Sequence, residues 1–247
     1  MKPAFVRIGG KTLLKKHILP LIPNTEIYVE PFIGGGAIYL GKEPCEKEII
    51  NDLDENLIKG WEELKKETNE DLTIYDTNDL TELTKLYKSD ATNGIAFLVK
   101  QLITARNTYS CVGRGKLYKT HSPYITLKNK KQYEERLKNT TILNEDYKSV
   151  ITKYDSENTF FYLDPPYNNS KKLYKHGEFN NKELNDILIN LKGMFLLSLN
   201  DSEEVRETFK NFKIIPIENI SSTNLNNKGK IVKRKEVLIF NYDLGDL

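Results

Sequence analysis

The sequence lacks the residues that would define a disulfide-rich or zinc-binding protein. Its 247 residues include 2 cysteines, Cys45 and Cys111, and no Cys-x-x-Cys pair. Neither a disulfide framework nor a cysteine-based zinc site is therefore expected. The 3 histidines are far apart in the sequence. We expect no structural metal ion and no metal-binding residues.

Long apolar stretches and a strong net charge are also missing. No run of about 18 apolar residues occurs, and the N-terminal residues lack the apolar core of a signal peptide. We therefore expect no membrane association and an intracellular location, either the cytoplasm or, for a virus-encoded protein, the host cell. Lys and Arg total 37 against 35 Asp and Glu, a net charge of +2. Any surface that binds nucleic acid must come from local clustering of charge.

Short stretches rich in β-branched and aromatic residues alternate with stretches of helical periodicity. The predicted strands are 25–30, 47–51, 159–164, 193–199, 213–217 and 236–242. The predicted helices are 11–19, 54–67, 181–192 and 202–212. This alternation predicts an α/β fold with a mainly parallel sheet and helices on both faces.

The middle of the chain differs from this pattern. Residues 68–145 are polar and mostly helical in character, and they include the irregular segment TARNTYSCVGRGKLYKTHSPY at 104–124. We expect 1–67 and 146–247 to form one catalytic domain and 68–145 to form an inserted, mainly helical subdomain.

A glycine-rich segment, VEPFIGGGAIYL at 29–40, follows the first predicted strand and leads into the helix-like AIYL. Three adjacent glycines let backbone amides approach a ligand closely, although a glycine triplet by itself is equally compatible with a tight turn. Asp52 ends the next predicted strand about 20 residues on, where a carboxylate can accept hydrogen bonds from ribose hydroxyls. The glycine-rich segment and Asp52 together predict a site for a nucleoside cofactor, but they do not indicate which nucleoside.

A second constellation is Asp164-Pro165-Pro166-Tyr167, which directly ends an apolar strand. The carboxylate would emerge at the carboxyl edge of the sheet, where open α/β sheets bind ligands. The prolines carry no N–H, so carbonyl oxygens are left without a local donor, and Tyr167 adds a flat aromatic face. Acceptors beside a stacking surface suit an exocyclic amino group on a planar base. The alternative is an Asp-Pro turn that merely leaves the strand.

Five motifs occur in one order: GGK at 9–11, EPFIGGG at 30–36, ND at 51–52, DPPY at 164–167 and RKEVLIFNY at 234–242. In this order and spacing the chain resembles the Dam-type DNA adenine-N6 methyltransferases, which use S-adenosylmethionine. The resemblance implies a Rossmann-like sheet, a target-recognition role for 68–145, and methyl transfer to the amino group of a flipped-out adenine at a specific DNA site.

The resemblance also implies roles for particular residues. Those expected to hold S-adenosylmethionine are Arg7, Gly10, Lys11, Glu30, Pro31, Phe32, Gly34, Gly35, Gly36, Asp52 and Asp164. Those expected to act on the adenine are Asp164, Pro165, Pro166 and Tyr167. Arg7 departs from the family, which usually has an aromatic residue at that position.

Double-stranded DNA is the expected partner. Candidate phosphate contacts are Lys228, Lys230, Lys233 and Arg234 in a predicted loop at 226–235. Candidates for reading base edges are Arg106, Asn107, Arg114 and Lys116, because Arg and Asn suit guanine and adenine. Tyr174 lies in the segment that, by resemblance, closes over the base.

Two alternatives remain open at the level of sequence. One is an RNA adenine-N6 methyltransferase, and the other is a catalytically silent nucleic-acid-binding subunit on the same fold. The expected assembly is a monomer or a homodimer, with a companion restriction endonuclease as a further expected partner.

Overall fold

A computed structural model describes residues 1–5, 9–69, 71–72, 85, 90–103, 123–166, 179–225 and 231–246. Within these ranges the strands are β1 (Ile27–Glu30), β2 (Lys47–Asn51), β3 (Thr140–Leu143), β4 (Thr159–Leu163), β5 (Met194–Asn200), β6 (Lys213–Leu225) and β7 (Ile231–Phe240). The α-helices are α1 (Lys15–Ile18), α2 (Glu55–Lys65), α3 (Gly94–Ile103), α4 (Pro123–Lys128), α5 (Lys130–Leu137), α6 (Tyr147–Tyr154), α7 (Asn181–Ile189) and α8 (Glu203–Thr208). Short 3-10 helices cover Leu19–Leu21 and Leu244–Asp246.

The described strands form a seven-stranded sheet in the order β3-β2-β1-β4-β5-β7-β6. Its first five positions follow the Rossmann order, in which the chain reverses direction across the sheet between β1 and β4. β1, β4 and β5 run parallel, whereas β7 pairs antiparallel with both β5 and β6. The predicted Rossmann-like α/β fold is confirmed by this topology.

The described chain divides into two compact units. The first unit comprises Met1–Thr12, Ile33–Pro44 and Glu48–Asp146, and the second comprises Leu13–Phe32, Cys45–Lys47 and Tyr147–Leu247. The predicted division into a catalytic domain and an insertion at 68–145 stays a prediction.

The second unit is built around β4, β5 and β7. Every residue of β4 is buried, as are the five central residues of β5. Continuous apolar runs of this kind are typical of strands covered on both faces. Asn180 caps α7 by accepting hydrogen bonds from the backbone amides of Lys182 and Glu183, and Ser202 caps α8. These side chains satisfy amides that a helix start leaves unpaired.

The first unit is built around α2. Asp54 caps this helix by accepting hydrogen bonds from the backbone amides of Asn56 and Leu57. Its apolar face includes Trp61, which is fully buried. At the other end, the buried ammonium of Lys130 donates to the carbonyl oxygens of Leu64 and Lys66. Both ends of α2 are thus held by charged side chains, as the helix dipole favours.

A buried ion cluster also lies in the first unit, at the start of β2. Glu48 is 5% exposed and pairs with the guanidinium of Arg136 and with the ammonium of Lys42, which lies 2.6 Å away. The guanidinium of Arg136 also stacks over the ring of Tyr39, 4.0 Å from its centroid. Two cations around one carboxylate compensate for its removal from water.

Several boundaries predicted from the sequence are wrong. The helix expected at 11–19 is a single turn, α1, and the helix-like AIYL after the glycines is a series of turns closed by a hydrogen bond from the Leu40 amide to the Gly36 carbonyl oxygen. β3 was not predicted, because TTIL is short and only partly buried. The lysine-rich loop expected at 226–235 is shorter, since β7 already begins at Ile231.

Candidate active site

The glycine-rich segment of the first unit has a backbone that other residues would strain. Gly34 and Gly36 have φ angles of +46° and +70°, a region that side chains disfavour. A Cβ atom on Gly35 would lie 2.2 Å from the carbonyl oxygen of Phe5. A Cβ on Gly36 would lie 2.5 Å from the indole of Trp61. The glycines therefore let this loop pack closely against its own unit.

Asp52 follows β2 and is tied directly to that loop. Its Oδ2 accepts a hydrogen bond from the Gly34 amide at 3.1 Å, and its Oδ1 accepts one from the Asp54 amide at 3.1 Å. The neighbouring Asn51 is buried and exchanges two hydrogen bonds with the backbone of Glu145, at 2.8 Å and 3.0 Å. The two amides fix the orientation of the Asp52 carboxylate at the carboxyl end of β2.

Lys11 of the GGK motif is buried. It is 3% exposed, and its ammonium donates to the carbonyl oxygen of Gly9 at 3.2 Å. Gly9 has a φ of +84°, and the neighbouring Gly10 is exposed. A buried lysine ammonium is costly without acceptors, so the turn at Gly9 and Gly10 places backbone oxygen where Lys11 needs it.

In the second unit, Glu30 lies at the carboxyl end of β1, beside β4 in the sheet. This is the topological switch point, where open α/β sheets bind ligands. Glu30 is 2% exposed, and its Oε2 accepts the hydroxyl proton of Tyr28 at 2.7 Å. Pro31 after it is also buried, whereas Phe32 is partly exposed.

Asp164 lies on the neighbouring strand of the same switch point, directly after β4. It is partly exposed, Pro165 is buried and Pro166 is partly exposed. Oδ1 of Asp164 accepts a hydrogen bond from the hydroxyl of Ser198, with 3.4 Å between the two oxygens. The carboxylate therefore leaves the buried sheet at its carboxyl end while keeping a contact to the next strand.

Three aromatic rings in the second unit form a cluster that sequence reasoning missed as a group. Phe32 lies 5.3 Å from Tyr147 and 5.7 Å from Phe179, and Tyr147 lies 5.3 Å from Phe179, measured between ring centroids. Resemblance to the family singles out Phe32 and the segment 174–179, which is expected to close over the base, but it does not single out Tyr147. The strand that precedes Tyr147 went unrecognised, and with it the signal that Tyr147 follows a strand end.

Several predicted site residues lie outside the described part of the chain. They are Arg7, Arg106, Asn107, Arg114, Lys116, Tyr167, Tyr174, Lys228 and Lys230. The backbones of Lys233 and Arg234 belong to β7, opposite Ile220 and Asn219 of β6. Their side chains lie outside the description too.

The chain was compared with known protein families. The family model for the D12 class of N6 adenine-specific DNA methyltransferases matches residues 8–223. The chain belongs to this family. The predicted family and the predicted activity, site-specific methylation of adenine in DNA, are confirmed by membership of the D12 class.

Three named relatives of this D12-class chain align with 64% to 98% of its length. The type II methyltransferase M1.LlaDCHI of Lactococcus lactis subsp. cremoris is 30% identical over 278 residues, which span 98% of this chain and 96% of that protein. The type II methyltransferase M.MjaIII of Methanocaldococcus jannaschii is 26% identical over 75% of this chain and 76% of its own length. A DNA adenine methylase of Salmonella typhi is 27% identical over 64% of this chain and 62% of its own.

None of the helices in the described part of the chain is long and apolar enough to span a membrane. Among the same residues, no group of three or more His, Cys, Asp or Glu side chains is arranged to hold a metal ion.

Proposed function

We propose that this methyltransferase uses S-adenosylmethionine to methylate the N6 amino group of an adenine in double-stranded DNA, and that Asp164 and Pro165 act directly on that amino group. The observation that carries the proposal is the position of Asp164, partly exposed at the switch point of the sheet, with a proline after it that has no N–H. The carboxylate of Asp164 and the carbonyl oxygen of Pro165 are hydrogen-bond acceptors, which is what an amino group requires.

We propose that the glycine loop and Asp52 of the first unit help to hold the methyl donor. Gly34 and Gly35 are partly exposed and carry no side chain, so a ligand could approach their backbone closely. Asp52, oriented by the amides of Gly34 and Asp54, is proposed to accept hydrogen bonds from ribose hydroxyls, because it lies at the carboxyl end of β2, where an acidic residue suits a nucleoside ligand. S-adenosylmethionine, when bound, supplies an electrophilic methyl group on a sulfonium.

Five further residues are proposed to support the donor: Gly10, Lys11, Glu30, Pro31 and Phe32. Glu30 is fully buried, so its role is to fix the end of β1 rather than to present a charge to solvent. Phe32 offers a partly exposed ring in contact with two further aromatics, which suits packing against an apolar portion of a ligand. Arg7 stays a proposed contact on resemblance alone.

The chemistry proposed for Asp164 and Pro165 concerns two N–H groups. The lone pair of the adenine amino nitrogen is delocalised into the ring, so the nitrogen is a poor nucleophile. The carboxylate of Asp164 and the carbonyl oxygen of Pro165 would each accept one amino hydrogen, which would localise the lone pair on the nitrogen. The nitrogen could then take the methyl group as the methyl–sulfur bond breaks, leaving a neutral thioether, and one amino proton would be lost. Pro166 keeps the turn rigid, and Tyr167 is proposed to stack on the ring.

The amino nitrogen of an adenine is inaccessible to an active site while the base is stacked in a duplex, so the base must be flipped out, at a cost of about a few kcal/mol. Phosphate contacts are proposed for Lys228, Lys230, Lys233 and Arg234, and base contacts for Arg106, Asn107, Arg114 and Lys116. Two relatives are named type II methyltransferases. Their names support the proposal that the chain modifies one short sequence and accompanies a restriction endonuclease.

The test compares methyl transfer by the wild-type protein, Asp164→Ala and Asp155→Asn. Radiolabelled S-adenosylmethionine is supplied with duplex DNA, single-stranded DNA and RNA in parallel. We expect transfer to duplex DNA and a fall of about 10²- to 10³-fold in the transfer rate of Asp164→Ala at saturating cofactor. Asp155 is a matched control, since it accepts backbone hydrogen bonds from Lys192 and Gly193 before β5 begins.

The control variant Asp155→Asn should transfer methyl groups at the wild-type rate per folded molecule. If Asp164→Ala works at close to the wild-type rate, the role given to Asp164 is wrong. Transfer to RNA alone would favour the RNA methyltransferase alternative. Transfer to none of the three substrates by a folded protein that binds S-adenosylmethionine would favour the silent subunit.

A further inference from the structure

A buried pair of hydroxyl groups lies directly beneath Asp164 in the second unit. Ser198 of β5 is fully buried, and its Oγ lies 3.1 Å from the hydroxyl oxygen of Tyr162, which is 1% exposed. The same Oγ lies 3.4 Å from Oδ1 of Asp164 and 3.5 Å from the carbonyl oxygen of Leu163. Two buried hydroxyls therefore lie together near the carboxyl ends of β4 and β5, where Asp164 leaves the sheet.

Strand register explains why these groups meet. β4 and β5 are parallel, with Leu163 opposite Leu197. Ser198 is one residue further along β5, as Asp164 is one residue further along β4. The serine is therefore held next to the aspartate by backbone pairing and not by the conformation of a loop.

The proton of a serine hydroxyl can point in one direction at a time. When the Ser198 proton points at Asp164, its oxygen is left to accept the proton of Tyr162. A polar chain then runs from the Tyr162 phenol through Ser198 to the carboxylate. Hydrogen bonds in such chains strengthen one another in a buried environment, and those to a charged acceptor are the stronger kind.

We propose that Ser198 is a positioning residue that fixes the carboxylate plane of Asp164, and that Tyr162 orients the Ser198 hydroxyl. This inference rests on the role proposed above for Asp164. The terminal torsion of an aspartate is broad, so a partly exposed carboxylate samples many orientations unless something holds one oxygen. Pro165 restricts the backbone around Asp164 but does not restrict this torsion.

An acceptor that must receive an amino hydrogen along one direction loses rate when its orientation is free. The hydroxyl of Ser198, 3.4 Å from Oδ1 of Asp164, is the group placed to limit that freedom.

Four variants test the proposal in the full-length protein. Ser198→Ala removes the hydroxyl, and Ser198→Cys keeps the volume with a much weaker donor. Ser198→Thr keeps the hydroxyl, and Tyr162→Phe removes its buried partner. Thr159→Val is the matched control, because Thr159 is a fully buried hydroxyl of β4 at the opposite end of that strand, bonded to the Tyr154 carbonyl oxygen at 2.7 Å.

The measurements are kcat, the KM values for DNA and S-adenosylmethionine, and thermal unfolding, with rates expressed per folded molecule. We expect kcat to fall about tenfold in Ser198→Ala and Ser198→Cys, and by less in Tyr162→Phe. The KM for S-adenosylmethionine should change less than kcat, because Ser198 is proposed to act on the methyl acceptor through the orientation of Asp164. Ser198→Thr should recover most of kcat, and Thr159→Val should change stability but not kcat.

A double-mutant cycle separates positioning from packing. In an Asp164→Ala background, Ser198→Ala should have no further effect on kcat, since the group it positions is gone. Equal falls in Ser198→Thr and Ser198→Ala, an unchanged kcat in Ser198→Ala, or additive effects in the cycle would each overturn the inference. A different result would show that the proposed function is wrong: Asp164→Ala would then retain methyltransferase activity, irrespective of the effects of the Ser198 variants.

Discussion

The backbone amide of Gly34 donates a hydrogen bond to Oδ2 of Asp52 across 18 residues of sequence, at a distance of 3.1 Å. This contact joins the glycine loop to the end of β2 within one compact unit. The two features that predicted a nucleoside site are therefore parts of one structure. The carboxylate proposed to bind ribose is oriented by the loop proposed to lie beside the rest of the ligand.

Asp52→Ala should weaken binding of S-adenosylmethionine about 10- to 100-fold, because hydrogen bonds to a charged acceptor are lost along with the orientation of the loop. Asp52→Asn should weaken it less, since one carbonyl acceptor remains. Isothermal titration calorimetry measures both dissociation constants.

Asp54→Ala is the control for Asp52, because Asp54 is an acid two residues away that also accepts two backbone amides. It should cost about 1 kcal/mol of stability through loss of the helix cap and leave cofactor affinity unchanged. Equal affinity losses in both variants would contradict a direct role for Asp52.

Gly36→Ala should destabilise the protein by about 2 to 4 kcal/mol, from backbone strain at a φ of +70° and from a Cβ 2.5 Å from Trp61. Gly94 has a φ of +71° and open space around its Cβ position, so Gly94→Ala isolates the strain, at about 1 kcal/mol. Urea denaturation of both variants gives the difference due to Trp61. The clash would be disproved by equal losses in the two.

Lys130→Met should destabilise the protein by about 2 to 4 kcal/mol, because it leaves Glu134 and two carbonyl oxygens at the end of α2 without the buried ammonium. Removing Glu134 as well, in Lys130→Met/Glu134→Gln, should recover part of the loss. Thermal and chemical denaturation measure both. A neutral single variant would show that the buried ammonium contributes no net stability.

Neutralising Lys233 and Arg234 to Gln should weaken DNA binding equally for specific and non-specific duplexes. If each side chain contacts a phosphate, the slope of log K against log[salt] should fall by about 1 per residue. Fluorescence anisotropy at several salt concentrations measures this slope. Lys192→Gln, an exposed lysine just before β5, is the control and should leave the slope unchanged.

Stability should fall at alkaline pH through Tyr242. Burial raises the pKa of this phenol well above its ordinary value of 10.0. The folded protein therefore keeps the proton above pH 10.0 while the unfolded chain loses it. Because the unfolded state then binds fewer protons, unfolding becomes more favourable as pH rises.

Tyr242→Phe should show a flatter decline in stability above pH 10.0, from a lower starting value, since the phenol also donates to the Leu21 carbonyl oxygen. Urea denaturation between pH 8 and 11 gives the comparison. Tyr133→Phe should behave similarly, because burial raises the pKa of Tyr133 as well. An unchanged pH slope in both variants would refute the argument.

Most of the buried strands could be recognised from the sequence, and the reason is physical. β4 and β5 are covered on both faces, so TFFYL and FLLSL are nearly continuous apolar runs. β3 could not be recognised, since this strand has four residues, is rich in threonine and is only partly buried. Residues 37–40, AIYL, have the composition of a helix, but they form turns, and no helix follows them before β2.

Motif order also determined the family, since five short motifs in the right succession specify more than any one of them. Asp52 and Asp164 could be placed at strand ends by sequence because the apolar runs before them end so sharply. What a sequence cannot give is the partner of each group across the sheet, because that depends on which strands pair and in what register.

The sequence by itself therefore determined the fold class, the chemistry and the two aspartates on which the proposed site depends. Tertiary structure alone decided that Gly34 orients Asp52, that Ser198 and Tyr162 lie beneath Asp164, and that Phe32, Tyr147 and Phe179 form one cluster. Local patterns record whether a residue is buried and what it can do. Contacts between residues far apart in the chain are set by strand pairing and packing, which no local pattern contains.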